Sequence, residues 1–327
     1  MAKKYDIYGM GNALVDIVTE VDDAFFATNG IEKGVMTLVD EERQAALVTA
    51  IDMLAADKQC GGSAANTVIG AAQFGASVFY SCKVAQDELG EFYIADLQAN
   101  GADTNLISGQ LPQGTTGKCL VMTTADAERT MNTFLGITAS YSEDNIATSA
   151  LLDSEYLYIE GYLVTSDNGR EAMKSAKAIA QQSGVKVALT FSDPAMVKYF
   201  GDGMKEVVGD GVDLLFCNEE EAMIFTGADS EEAAFEALKA SAKQFVMTLG
   251  PKGALVWDGS QSIPIAPVPT KAVDTNGAGD LFAGAFLYGI TNGLSHAEAG
   301  ALASRASSAV VSKFGPRLSK AQAKALL

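Results

Sequence analysis

The chain has 327 residues, 48% of them hydrophobic and 20% charged, and its formal net charge is −18. That acidity excludes the broad basic patches that nucleic acids and anionic membranes require, and no apolar run approaches the ~20 residues of a membrane span. It does not exclude a phosphate-bearing ligand, which local backbone amides and a metal hold whatever the global charge.

In chain order, residues 5–10 read as a strand, and the preceding MAKK carries no apolar signal-peptide core. The strand runs into GMGNALVDI, where Asn12 and Asp16 lie four apart. Locally these are either an Asx turn with a capping Asp or a polar pair for hydroxyl groups. Residues 19–40 and 115–134 are rich in Thr, Val, Met and Leu and look like extended hairpins without a helical crossover. They form either a small β lid over the main body or edge hairpins packed on the core. Gly61-Gly62-Ser63 opens a helix over residues 64–74 whose apolar face is Val68, Ile69 and Ala72, with Asn66 in its first turn. Strands follow at 78–82, 156–159, 185–190, 214–217, 245–249 and 254–257, and helices at 88–100, 168–182 and 277–292. This alternation predicts one α/β domain over residues 1–327, a mostly parallel central sheet with helices on both faces and the lid strands interleaved. Ligands in such folds bind beyond the carboxyl ends of the strands.

Cys60, Cys82, Cys119 and Cys217 are scattered with no CxxC. They read as buried thiols of a reducing cytosol, so a cytoplasmic location is expected. His296, the single histidine, follows a helix N-cap candidate at Ser295, which disfavours a serine–histidine triad or a histidine metal cluster.

Two polar stretches sit at strand ends. Residues 214–222 read LLFCNEEEA, a buried strand followed by Asn218 and three glutamates; by itself this is a solvated helix start. Residues 246–254 read VMTLGPKGA, a plain β-turn on local evidence.

The most informative stretch is VDTNGAGDLFAGAFLY, residues 273–288. A short strand is expected to end near Asp274. Gly277, Ala278 and Gly279 then make a turn almost free of side chains, leading into a small-residue helix whose N-terminal amides form an anion site. Asp280, in the first helical turn, either caps the helix or stands beside those amides as a base. Phosphoryl transfer uses both parts: a carboxylate to accept a hydroxyl proton, and fixed donors for the oxygens of the moving group.

This string resembles the C-terminal signature of the ribokinase/pfkB family of carbohydrate and nucleoside kinases. GGSAANTVIGAAQFGASVFYSCKVAQDELG, from Gly61, resembles the family's other signature, and the likeness runs from GNALVDI to KFGPR. The resemblance implies a ribokinase-like fold and an ATP-dependent kinase with Asp280 as base and Gly277, Ala278 and Gly279 as anion hole. It implies that Asn12, Asp16, Gly61, Gly62 and Asn66 hold the acceptor, and that Asn218, Thr248, Gly250 and Gly253 serve the nucleotide. Glu221 would work around Mg²⁺, largely through water, and Asp274 and Asn276 beside a monovalent cation such as K⁺. GNALVDI, DTNGAGD, CNEEEA and LTFSDPAM resemble the adenosine kinase branch, which implies adenosine as acceptor ahead of ribose or fructose. One departure stands out: where that branch carries an aromatic over the base this chain has Ala195, with Asp193 in place of a small residue. Phe134 and Tyr162 are candidate replacements. The expected partner is a small nucleoside or sugar, with the chain a monomer or homodimer. Two rivals are a non-catalytic nucleoside- or sugar-binding sensor on the same fold and a nicotinamide oxidoreductase. The intact Asp280 loop argues against the first, and GMGN lacks the GxGxxG spacing of the second.

Overall fold

A computed structural model describes residues 3–51, 57–126 and 128–327. Its strands are β1 (Tyr5–Met10), β2 (Leu14–Glu20), β3 (Met36–Leu38), β4 (Asp57–Gly61), β5 (Val78–Ser81), β6 (Ala102–Asp103), β7 (Gly117–Thr123), β8 (Arg129–Phe134), β9 (Ser154–Ile159), β10 (Lys186–Thr190), β11 (Val212–Asn218), β12 (Ala242–Thr248), β13 (Ala254–Trp257) and β14 (Ser262–Ile265). Its helices are α1 (Asp23–Asn29), α2 (Glu41–Ala50), α3 (Ser63–Phe74), α4 (Glu88–Ala99), α5 (Thr148–Leu152), α6 (Asp167–Gln182), α7 (Pro194–Tyr199), α8 (Gly201–Val208), α9 (Glu219–Thr226), α10 (Glu231–Leu238), α11 (Ala278–Thr291), α12 (His296–Val311) and α13 (Lys320–Lys324).

Among the described residues the strands form two sheets. The larger runs β14-β13-β12-β11-β10-β9-β1-β5-β6. It is parallel from β6 to β12 and antiparallel at the β13 and β14 edge. Side chains alternate between its faces. Ile7, Tyr80, Tyr158, Leu214 and Phe216 point into one core with residues of α3, α4, α11 and α12. Tyr8, Phe79, Leu157, Leu189 and Phe245 point into the other with α6, α8 and α10. Helices on both faces explain why these strands are near-continuous apolar runs.

The strand order reverses at β1, which has β5 on one side and β9 on the other. The crevice beyond the carboxyl ends of β1 and β9 is therefore the topological switch point of the sheet. The chain leaves β1 there and, after Gly11, Asn12 and Ala13, enters β2 of the second sheet.

The second sheet runs β3-β8-β7-β2-β4. Ile17, Leu120 and Met122 on one face pack with Phe26 of α1 and Leu47 of α2; Leu14, Asp16, Cys119 and Val121, at alternate positions, line a cavity on the other. Residues 115–134 contain an antiparallel β7–β8 pair, with Ala127 outside the described residues. Residues 19–40 are not a hairpin: they hold the end of β2, then α1, then β3, which runs parallel to β8. The helix starts at an Asp22 N-cap and stops at Gly30 in the left-handed region, short local signals that a β-rich composition hides.

Two further expectations are corrected. No strand leads into Asp274; the chain from the end of β14 to Gly277 is irregular. Helix α3 buries its whole circumference from Ala64 to Phe74, because it lies between the sheet and α11. Small residues on both α3 and α11 permit this: a Cβ on Gly70 would come within 2.7 Å of Leu281, and one on Gly284 would collide with the Thr67 carbonyl.

Candidate active site

A cavity of about 450 Å³ opens at the switch point, between the main sheet's carboxyl edge and the second sheet. Asn12, Asp16, Gly62, Asn66, Asn218, Glu221, Thr248, Asn276, Gly277, Ala278, Gly279 and Asp280 all line it. Gly61, Gly250, Gly253 and Asp274 are not among its lining residues.

The close packing of α3 on α11 brings their first turns together. Gly277 precedes α11 with φ +72° and no side-chain cap; a Cβ there would run into Pro316. Glycine thus serves both the backbone conformation and the contact. The Asp280 carboxylate reaches across to α3 instead of capping its own helix: Ser63 Oγ donates to Oδ1 at 2.6 Å and Asn66 Nδ2 to Oδ2 at 3.1 Å. These donors set the carboxylate's orientation. Within the preceding turn the Ala278 amide makes a long 3.4 Å bond to the Thr275 carbonyl. The first-turn amides of α11 have no acceptor in their own helix and add to the positive end of its dipole.

Asp16 lies within β2, not in a turn, and is 6% exposed. A Cβ on Gly61 would overlap its carboxylate, so Gly61 on the neighbouring β4 makes room for Asp16. Gly62, at φ +105°, brings its backbone against the Asn12 carbonyl. Asn12 donates through its backbone N and through Nδ2 to Glu160 Oε1, both at 3.1 Å. Its Oδ1 accepts from Thr138 Oγ1 at 3.3 Å.

Glu160 was not among the expected site residues. It follows β9, is fully buried, and its Oε2 accepts the Ala64 amide at 2.8 Å. It therefore joins the β1–β2 crossing to the start of α3. Burial pushes its carboxyl up to about 7, against the pull of the Ala64 and Asn12 amides. A signal was present: a charged residue ending an apolar strand, at the edge where α/β sheets bind ligands.

At the nucleotide side expected from the sequence, Asn218 and Glu221 form a reciprocal capping box at the start of α9. Asn218 N donates to Glu221 Oε2 at 2.9 Å and Glu221 N to Asn218 Oδ1 at 2.8 Å. Glu221 is 4% exposed, and burial pushes its carboxyl up to about 8. Gly250 begins a short 3-10 turn between β12 and β13. Gly253, at φ +97°, packs on the Ile265 carbonyl, a close approach that serves the β13–β14 edge. Asp274 Oδ1 accepts the Asn276 amide at 2.9 Å and Oδ2 the Gly315 amide at 3.0 Å, tying the loop to the chain after α12. Asp193 caps α7 through the Ala195 amide and accepts from Tyr162 Oη at 3.3 Å. Tyr162 lines the cavity; Phe134 and Ala195 do not.

Five acidic side chains line the cavity, Asp16, Glu160, Asp193, Glu221 and Asp280, and no Lys, Arg or His among the described residues does. A bare polyphosphate would meet repulsion there; one carrying a divalent cation would not. Among the described residues no three His, Cys, Asp or Glu side chains are grouped to hold a metal by themselves. That donor set suits Mg²⁺, which keeps waters and takes one or two carboxylates together with phosphate oxygens.

The family described as pfkB family carbohydrate kinase matches residues 37–323. A solved probable sugar kinase from Rhizobium etli superposes with a TM-score of 0.91 at 32% identity, covering 99% of this chain and 100% of that one. The crystal structure of adenosine kinase from Sinorhizobium meliloti gives 0.88 at 34% identity, covering 98% of each. Adenosine kinase 2 of Arabidopsis thaliana is 26% identical over 339 aligned positions, spanning 96% of both chains.

Proposed function

The chain belongs to the pfkB family of carbohydrate kinases, with a ribokinase-like α/β fold and phosphotransfer to a hydroxyl group as its activity, and from that premise we propose that its acceptor is a nucleoside, adenosine, converted to AMP by ATP. The observation that carries this reading is the two-sided lining of the cavity. Asn12, Gly62 and Asn66 stand on one side, next to Asp280, and Asp16 projects into the cavity from β2. On the other the second sheet contributes Leu14, Met36, Leu38, Val121 and Met131. A ribosyl group supplies the hydroxyls that the polar side pairs with, and an apolar base matches the second sheet's wall. A free sugar presents hydroxyls on most faces and leaves that wall without a partner.

In this reading Asp16 and Asn66 hold the ribose hydroxyls and turn the primary hydroxyl toward Asp280. Asp280 accepts its proton as the oxygen attacks the γ-phosphorus and the bond from that phosphorus to the β–γ bridging oxygen breaks, with ADP leaving. The amides of Gly277, Ala278 and Gly279 receive the charge spread over the equatorial oxygens, at positions that need no rearrangement. Glu221, with Asn218 and Thr248 beside it, would hold Mg²⁺ through water, and the ion would offset the phosphate charge. The Asp274 carboxylate already takes two backbone amides, so a monovalent cation such as K⁺ near Asp274 and Asn276 would rest on main-chain oxygens.

A sugar acceptor is the second reading. It draws on the likeness to the Rhizobium etli protein and on the alanine at position 195, where the adenosine kinase branch carries an aromatic. ADP release with ATP and Mg²⁺ separates the two. Adenosine is expected to exceed ribose and fructose in kcat/KM by at least about 100-fold, since a site built around both halves of a ligand rejects one lacking half of them. Turnover of a free sugar with none of adenosine would overturn the nucleoside assignment.

A further inference from the structure

An amide side chain can face either way, and the direction of Asn66 matters. With Nδ2 toward Asp280 it donates to the carboxylate; reversed, it would set an oxygen against an anion. The structure names what holds it. Arg317 Nε donates to Asn66 Oδ1 at 2.9 Å. A guanidinium has donors and no acceptor, so Oδ1 is the atom that faces it and Nδ2 is the atom left for Asp280.

Arg317 is itself fixed from behind. Its Nη1 lies 3.4 Å from Cys60 Sγ and 3.5 Å from Asp96 Oδ2, and Asp96 also accepts the Cys60 amide at 2.8 Å. Arg317 is 8% exposed and pairs with the Asp96 carboxylate, yet its Nη2 has no hydrogen-bond partner among the described residues. A buried cation with an unmet donor costs stability, so folding alone gives a weak reason for an arginine here. Its neighbours point the same way. Gly315 N binds Asp274, and Pro316 packs on Gly277. One short segment thus touches both the anion loop and the acceptor side of the site.

We propose that Arg317 is a positioning residue for phosphoryl transfer, acting through the Asn66 amide to aim a donor at Asp280 and to keep Asn66 oriented for the acceptor. This rests on the reading of Asp280 as base and Asn66 as acceptor ligand.

The test is a double-mutant cycle on the full chain with steady-state kinetics. Arg317→Met is expected to lower kcat/KM for the acceptor about 10- to 100-fold, the loss typical of a charge-assisted hydrogen bond, with the KM for ATP little changed. Arg317→Lys, which keeps one donor, should recover part of that loss. In an Asn66→Ala background, Arg317→Met should cost less than about threefold further, because the group it acts through is gone. If Arg317→Met is not recovered folded, Arg317→Leu, which also lacks a donor, runs the same cycle. Full additivity with Asn66→Ala, or unchanged kcat/KM in a folded Arg317 variant that lacks a donor, would overturn the proposal. Failure of the underlying reading is separate: it would appear as an active Asp280→Asn enzyme whatever Arg317 does.

Discussion

The buried carboxylates are where single residues say most. Glu160, just after β9, accepts the Asn12 and Ala64 amides, and Glu221, in the first turn of α9, accepts the Asn218 amide; burial pushes the two carboxyls upward, to about 7 and about 8. An unfolded glutamate titrates near 4.3. Between about pH 4.3 and about 8 the folded chain therefore binds protons that the unfolded chain has lost, and stability falls as pH rises through that window. Glu221→Gln keeps an oxygen for the Asn218 amide and removes the titration. Calorimetric melting points at intervals from about pH 5 to about pH 9 should fall less steeply for the variant than for the parent, with the difference concentrated below about pH 8. Parallel curves would show that Glu221 ionises in the fold as readily as in water. Other residues separate what was readable from what was not. Asp280 and its Gly-Ala-Gly turn stood out because few structures need such a run of small residues before an acid. Arg317 gave no local signal, since a Gly-Pro-Arg tripeptide after a helix reads as an ordinary turn.

At the scale of elements, the site depends on two arrangements. Helices α3 and α11 approach through Gly70 and Gly284, which sets the reach of Ser63 and Asn66 to Asp280. The second sheet covers the cavity from the opposite side. The main strands were legible in the sequence because their apolar runs are long and punctuated. Helix α1 and the parallel pairing of β2 with β7 were not, since pairing between distant segments leaves no trace in local periodicity. We expect the second sheet to act as a closing cover that keeps water from the phosphoryl group. Moving elements draw on the less stable parts of a fold. Hydrogen exchange in β3, β7 and β8 should be fast in the free protein and should slow when acceptor binds, more than with nucleotide alone, while β10 stays protected throughout. Protection of these strands equal to that of β10 before any ligand is added would make them a rigid wall and leave water exclusion to another segment.

For the whole molecule, the reversal of strand order at β1 organises everything else. It sends the chain through Asn12 into the second sheet, puts Glu160 at the adjacent strand end, and opens the crevice into which the first turns of α3 and α11 both project. The alternation of strands and helices made the large sheet legible, but not its switch point, which depends on β9 returning to the far side of β1 after long intervening segments. Net charge of −18 and five acidic side chains around the cavity make this an electrostatically demanding place for a polyphosphate. In the proposed reaction amides, a divalent cation and a carboxylate that takes up a proton meet that demand. The central claim is that Asp280 is that carboxylate. Asp280→Asn preserves size and the contact with Ser63 while removing the base, so steady-state kinetics with saturating ATP and acceptor test the claim most directly. The predicted result is a kcat lowered by about 10² to 10⁴ with the KM for ATP nearly unchanged; a kcat within a few-fold of the parent would contradict it.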